Sequence, residues 1–583
     1  MSHNLSLLTR YLRPYAFKVG LLGACIIGSI GLQLLMPQII RSFIDVGVTG
    51  GAIQVLVRLG FLYLGLAVVI QLLSAVSSYL SADVGWSATN LLRADLFHHT
   101  LNLDMAYHKD RLPGEMIERI DGDVTSLSNF FSLFVVRVLT AGLLTIGVLI
   151  LLWRENRLVG VTLTVFTIVA LAVLYWRRDV AIAPMQQARE HTAQVFGFVE
   201  ERLTGRDDIR ANGAGPYVMH RFLEFQRDWF RRSARAWWLH GTILLSTGCL
   251  FAVGHIITLS LGARLWQLGA VTVGTVYLFY NYMSMLEAPL DQFTRQIQEF
   301  QKAVAGIHRV RELLDTPRTV LGGERTLSER AHSLEFDQVR FRYAERDVLN
   351  SVSFRLEPME TLGLLGRTGS GKTTLIRLAA RLYDATEGRV VVDGVDLRET
   401  NLDDIRSRVT LVTQDVQLFR GTVRDNLTFF NPDVTDEKIW EVLHGLSLRS
   451  WIESLPRQLD TMLEAGGSGL SAGQSQLLAF GRAFLRDPGI VILDEPSSRL
   501  DSATERLVTH AFDRLLENRT GIIIAHRLKT IERVDKVMVL SDGRILEYGP
   551  REELASLPNS RYSMLLRLSS ESGSLDEQME QII

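Results

Sequence analysis

The residues best suited to chemistry are Gly366-Arg367-Thr368-Gly369-Ser370-Gly371-Lys372-Thr373-Thr374, which combine glycines, one lysine and hydroxyls. Their spacing is G-x-x-x-x-G-K-T, set between the apolar run 361–365 and the helix-like run 374–378. Glycines lack a Cβ, so the backbone N–H groups of such a loop can turn inward around phosphate oxygens. Lys372 adds a cation for the β and γ phosphates, and the Thr373 hydroxyl adds a ligand for Mg2+. A glycine-rich turn with a surface lysine is the plainer reading. With every position filled and both flanks right, the residues instead predict a site for a nucleoside triphosphate such as ATP.

Further stretches belong with that loop. Gly489–Glu495 is an apolar strand ending in two carboxylates, Asp494 to support Mg2+ and Glu495 to polarise water for attack on a γ-phosphate. Ser471-Ala472-Gly473-Gln474 opens the helical run 475–485, where free N–H groups and the helix dipole favour an anion. Taken alone, that feature reads as an ordinary helix cap. Gln414 follows the strand-like 409–412, and His526 follows 521–525. Both fall where ligands bind in a parallel sheet, beyond the carboxyl ends of its strands.

The elements that must position these residues differ between the two halves of the 583-residue chain. The second half alternates strand and helix patterns with scattered charge, as an α/β domain does. The first half contains apolar stretches near 19–40, 57–82, 131–153, 157–176, 241–262 and 270–290, each near the roughly 20 residues that cross a bilayer. These predict a polytopic helical membrane domain of six spans, with the long connectors 81–130 and 177–240 on the side of both termini. Arg93, Lys109, Arg111, Arg119, Arg177, Arg178, Arg231 and Arg232 lie in those connectors, which places them in the cytoplasm by charge bias. Their apolar spacing predicts helical arms reaching beyond the bilayer to tips near Lys109–Gly114 and Asn212–Pro216. In the sixth span Tyr277, Tyr280, Asn281 and Ser284 share a face, with Glu287 one turn on; a cavity lining and helix packing both fit.

A net charge of −2 gives no basic footprint for nucleic acid, so that partner class is disfavoured. Two cysteines, Cys25 and Cys249, both in apolar runs, support neither a disulfide framework nor a zinc site. Apolar sequence continues past Cys25, so the N-terminal region reads as a retained membrane helix rather than a cleaved signal. The expected organisation is a membrane domain over 1–312, a linker over 313–334, an ATP-binding domain over 335–565 and a tail over 566–583.

The ordered set of phosphate loop, Gln414, Leu470–Gln474, Asp494-Glu495 and His526 resembles the ATP-binding-cassette transporters, specifically exporter-type half-transporters with six spans ahead of one cassette. The resemblance covers nearly the whole chain. It implies ATP-driven export of a drug, lipid or peptide across the cytoplasmic membrane, with the cassette in the cytoplasm and membrane lipid around the spans. It implies a head-to-tail pair of cassettes, in which Gly366–Thr373 of one and Ser471–Gly473 of the other enclose each ATP. By the same resemblance Tyr343 stacks on adenine, Gln414 contacts Mg2+ and the attacking water, Glu495 is the catalytic base and His526 holds the γ-phosphate. The tips near Pro113–Glu115 and Asn212–Tyr217 look like the coupling helices of that family. Ala472 stands where the family has Gly, Ser475 where Arg or Gln is frequent, and Arg499 where a small residue is common. These departures leave open an identical or a related second chain, including the alternative that this chain is a regulatory or weakly hydrolysing partner.

Overall fold

Backbone polar groups in hydrocarbon must be satisfied within their own segment, so long apolar runs become helices. In this computed structural model the first half is built from α1 (Ala16–Val48), α2 (Ile53–Leu101), α3 (Val136–Glu155), α4 (Arg157–Arg177), α5 (Gly215–Gln267) and α6 (Val273–Asp315). The structure describes residues 9–569 except 131, 133–135, 178–181, 329–331, 468, 495–501 and 526–527. The chain divides into two compact units, one of 1–101 with 113–316 and the other of 102–112 with 317–583.

Among the described residues, five helices are long and apolar enough to cross a membrane, and they coincide with the first five expected spans, of which 131 and 133–135 in the third lie outside the described residues. The sixth expected span falls in α6, where the polar face at Tyr277, Tyr280, Asn281, Ser284 and Glu287 dilutes the hydropathy. None of the most apolar window of α2 is buried within the unit. A predominantly apolar surface of that extent belongs in lipid or against another protein. The expected arms are present. The 49 residues of α2 span roughly 73 Å and the 53 of α5 roughly 80 Å, well beyond a hydrocarbon core of about 30 Å. The second tip turns at Gly213, whose φ of +63° lies in the left-handed region that glycine adopts without strain.

Polar side chains join these helices. Gln38 of α1 donates to the Tyr282 hydroxyl of α6 at 3.1 Å and to Glu155 of α3 at 3.2 Å, while Arg41 donates to Glu155 at 2.7 Å. The amino end of α6 is fixed by Asp45, which accepts from the Gly274 amide at 2.9 Å and the Thr272 hydroxyl at 2.8 Å. A carboxylate there complements the helix dipole. Glu287 meets His255 Nε2 of α5 at 2.5 Å, and the His255 and Tyr280 rings lie 4.8 Å apart. These two members of the polar face therefore take part in helix packing.

The second unit carries two main sheets. One is antiparallel, in the order β2 (Arg346–Leu356), β1 (Leu334–Tyr343), β4 (Glu387–Val392), β5 (Val395–Asp396). The other has six strands in the order β12 (Arg544–Pro550), β11 (Lys536–Ser541), β3 (Thr361–Leu365), β10 (Thr520–Ile524), β9 (Ile490–Asp494), β6 (Val409–Val412). A short pair, β7 (Gly421–Thr422) and β8 (Met462–Leu463), stands apart. Strands β11, β3, β10, β9 and β6 are mutually parallel, and β12 runs antiparallel at the edge. Parallel strands covered on both faces read as continuous apolar runs, as Ile490–Leu493 and Ile522–Ile524 do; all are buried.

Candidate nucleotide site

The parallel order brings the predicted residues to one edge. The phosphate loop leaves the carboxyl end of β3, Gln414 follows β6, and Asp494 closes β9. Ile524 of β10 pairs with both Leu364 and Asp494, so Asp494 lies level with the end of β3, two strands or about 10 Å away. His526, Glu495 and Arg499 lie outside the described residues.

The loop is shaped by its glycines. A Cβ on Gly366 would lie 2.3 Å from the Leu540 carbonyl oxygen. Gly371 has φ +109°, and a Cβ there would meet Leu349 Cδ2 at 2.8 Å and the Val348 carbonyl oxygen at 3.1 Å. From this turn starts α7 (Lys372–Ala379), directing its amino end into the loop. Lys372 is buried, and its ammonium donates to the carbonyl oxygens of Gly366 and, at 3.0 Å, Arg367. The Ser370 hydroxyl is buried without a hydrogen-bond partner among the described residues. A curled cation, an unsatisfied hydroxyl and a cradle closed to side chains fit a polyanion.

Tyr343, at the end of β1, lies beside the loop and accepts from Thr374 Oγ1 at 3.5 Å. Its ring meets Phe341 and Tyr383 edge-on at 4.8 and 5.3 Å. Burial, reinforced by the neighbouring Tyr343, raises the pKa of Tyr383. Lys109 places its ammonium over the Tyr343 ring, 3.9 Å from the centroid. It closes the short helix Met105–Lys109, within the segment 102–112 that belongs to the same compact unit. Asp104, before that helix, accepts from the Thr319 amide at 2.6 Å, the Thr319 hydroxyl at 2.7 Å and the Val320 amide at 3.1 Å. Residues 102–112 of the first tip thus belong to the compact unit that carries the phosphate loop.

Ser471 caps α8 (Ala472–Arg486) reciprocally: its hydroxyl accepts from the Gln474 amide at 3.2 Å, and its amide donates to Gln474 Oε1 at 2.9 Å. Ala472 and Gly473 lie in the first helical turn, and neither has a positive φ. Alanine at 472 is therefore compatible with the backbone. Arg482, further along α8, was not singled out from the sequence, although a guanidinium among Leu477–Leu485 is a readable signal. It is buried, donating to the Asn426 carbonyl at 2.6 Å, Asn426 Oδ1 at 3.0 Å and the Gln417 carbonyl at 2.9 Å. Burial depresses its pKa to about 10. These bonds fasten the helix behind Ser471 to the segment following the exposed Gln414.

With this geometry in place, the comparisons with known proteins decide the family. A family model described as ABC transporter matches residues 349–498, and one described as ABC transporter transmembrane region matches 19–290. The ATP-dependent lipid A-core flippase of Chromobacterium violaceum is 31% identical over 528 residues, covering 89% of each chain. The chain belongs to the ABC transporters. A fatty acid ABC transporter ATP-binding/permease protein of Mycobacterium tuberculosis is 30% identical over 476 residues, 81% of this transporter and 75% of its own length. The structure of a bacterial Atm1-family ABC exporter with ATP bound superposes with a TM-score of 0.79, covering 96% of this chain and 98% of its own. At 22% identity that likeness concerns the fold alone. The protein is an ATPase coupled to membrane transport, with a helical membrane domain ahead of its nucleotide-binding domain.

Proposed function

We propose that this transporter is one half of an ATP-driven exporter of the cytoplasmic membrane, its cassette in the cytoplasm and its spans in lipid. The fusion of apolar spans and a full phosphate loop carries the reading, because a lipid A-core flippase and a fatty acid transporter align with both parts of this chain. Each ATP lies between two cassettes. Gly366–Thr374 and Tyr343 of one chain hold the triphosphate and adenine, and Ser471, Ala472, Gly473 and Gln474 of a second chain, identical or related, close over the γ-phosphate.

Among the described residues no group of three or more His, Cys, Asp or Glu forms a metal cage by itself. The oxygen donors of Thr373, Asp494 and Gln414 instead suit Mg2+ held jointly with phosphate and water. When bound, Mg2+ neutralises charge on the transferring phosphoryl group. Glu495 takes the proton of the attacking water, Gln414 orients that water, and His526 donates a hydrogen bond to the γ-phosphate. Closure moves the spans only because ATP favours the closed pair over the open one. The segment 102–112 and the tip at Asn212–Tyr217 carry that motion to α2 and α5.

Purified full-length transporter in liposomes tests the reading. It should hydrolyse ATP unaided, and Glu495→Gln should lower turnover about 100-fold or more, as loss of a general base does. No turnover until a different half-transporter is added would contradict an identical pair.

A further inference from the structure

Within the membrane unit, the segment 113–129 packs against both α2 and α6. Its middle, Glu118–Gly122, is a π turn between the short helix Pro113–Ile117 and the helix Asp123–Asn129. A π turn holds one residue more than an α turn, and such turns concentrate at functional sites. The two sides of this one are held unequally. After it, Asp123 is buried and accepts from Nε and Nη2 of Arg309 in α6, the former at 2.8 Å. Thr125 accepts from Arg93 of α2 at 2.8 Å, and Val124 and Leu127 are fully buried. A Cβ on Gly306 of α6 would lie 3.2 Å from Leu127 Cδ1, so α6 is in close contact there. Before the turn, only Met116 of Pro113–Ile117 is buried, and Ile117 is exposed. Arg119 reaches Glu312 of α6 only at 3.7 Å, and its buried Nη1 has no hydrogen-bond partner among the described residues. Arg93 Nε stands 3.0 Å from Asp121 Oδ1 yet is out of line for a hydrogen bond.

A two-pronged guanidinium–carboxylate pair among packed apolar side chains fixes a helix, whereas exposed or misaligned pairs hold it weakly. The stretch before the turn is therefore the part that can shift while Asp123–Asn129 stays. Converting the π turn to an α turn rotates the preceding residues by about 100° and moves them about 1.5 Å, the step of one residue. Each position is then taken by its successor, so Ile120 replaces Arg119 opposite Glu312. No aligned hydrogen bond to α2 or α6 is lost from the moving side. Gly122 weakens the α alternative, since glycine within a helix is about 1 kcal/mol less favourable than alanine, and so keeps the two forms close in energy. The moving stretch continues directly from residues 102–112, which belong to the compact unit of the phosphate loop. Packed helices change by such discrete steps rather than by continuous bending.

We propose that the π turn at Glu118–Gly122 is a register switch, in which ATP binding to the cassette moves residues 113–121 by one residue against the anchored helix Asp123–Asn129. It goes beyond the export reading and requires neither a particular cargo nor a particular second chain. The test is cross-linking by a short rigid bismaleimide in full-length Glu495→Gln chains in nanodiscs, with the free cysteines removed by Cys25→Ser and Cys249→Ser. Arg119→Cys/Glu312→Cys or Ile120→Cys/Glu312→Cys is added, and linked peptides are counted by mass spectrometry. One pair should link without nucleotide and the other with ATP, the ratio of the two changing about fivefold or more. ATP bound per chain is counted in the same samples. A ratio unchanged in chains that hold ATP overturns the proposal alone; chains that hold none remove the ATP-driven reading with it. Deletion of Ile120 takes out the extra residue and leaves only the present register. Chains with that deletion should bind ATP with unaltered affinity, which shows that they fold. Their Arg119→Cys/Glu312→Cys yield should no longer respond to ATP, and turnover with Glu495 intact should fall about fivefold or more. A yield that still responds, or turnover equal to that of the unmodified chain, overturns the switch as well.

Discussion

With adenine stacked on Tyr343 as proposed, Lys109 competes with it for one ring, and the size of that competition follows from the geometry. The ammonium lies 3.9 Å from the Tyr343 centroid, close enough for a full cation–π attraction. Lys109 is exposed and Tyr343 half-buried, which places the interaction at about 0.5–1 kcal/mol rather than the 2 or more of a desolvated pair. Stacking adenine on that face displaces the ammonium, so Lys109→Ala should tighten ATP binding by about 2- to 5-fold. Titration of the full-length Glu495→Gln chain, where turnover is suppressed, gives the affinity directly. Tripolyphosphate is the control, because it fills the phosphate loop without touching Tyr343. Its affinity should not change. Equal weakening of both ligands would mean that Lys109 acts as a general attractor of phosphate. No change in either would mean that the ring face is not shared, and both outcomes refute the competition. If it holds, the segment 102–112 is released from Tyr343 when ATP arrives, which links the site to α2.

Gly371→Ala combines a left-handed φ of +109° with a Cβ contact of 2.8 Å to Leu349, a strain of about 1–3 kcal/mol borne by the loop. ATP affinity should fall about tenfold, and an affinity equal to that of the unmodified chain would contradict the geometry. Arg482→Met removes the donors to Asn426 and Gln417 and leaves the buried Asn426 carbonyl and amide oxygens without them, so it should destabilise the cassette by about 3 kcal/mol in denaturant unfolding. Arg482→Lys should recover only part, since a lysine cannot reproduce the fork. Burial alone would raise the pKa of Asp393, but bonds from Ser328 at 2.6 Å, His332 at 2.6 Å and the Ser333 amide at 2.8 Å outweigh it and hold the carboxyl below its ordinary value. A depressed folded pKa stabilises above the unfolded value, near pH 4, and that contribution disappears as pH falls through the folded value. The stability lost in Asp393→Asn should therefore be constant above about pH 5 and shrink in acid; a loss that grows in acid would contradict it.

What could be read from the chain depended on how local each constraint is. The phosphate loop was legible because Gly366, Gly371 and Lys372 answer to a turn a few residues long. The parallel strands were legible as apolar runs, and β3, β6, β9 and β10 carry their loops to a common edge as expected. The helical arms were legible from the apolar spacing of the connectors. Long-range pairings were not. Nothing near Lys109 indicates that it meets Tyr343, and nothing near Arg482 names Asn426 as its partner, although a charge in an apolar helix signals that a partner exists. The sixth span shows the reverse limit: a polar face on α6 lowers the very hydropathy by which spans are recognised. Ala472 was a departure from the family pattern, and its helical backbone in α8 accounts for how an alanine is accommodated.

The central claim is that each ATP is enclosed by the phosphate loop of one chain and Ser471 of another. Lys372→Ala and Ser471→Arg chains, each inactive alone, should regain ATP hydrolysis when co-assembled in liposomes. One of the two sites in a mixed pair then has an unmodified loop facing an unmodified Ser471. Recovery approaching half the unmodified rate per mixed pair is the predicted result. Mixed pairs as inactive as their parents would contradict the composite site.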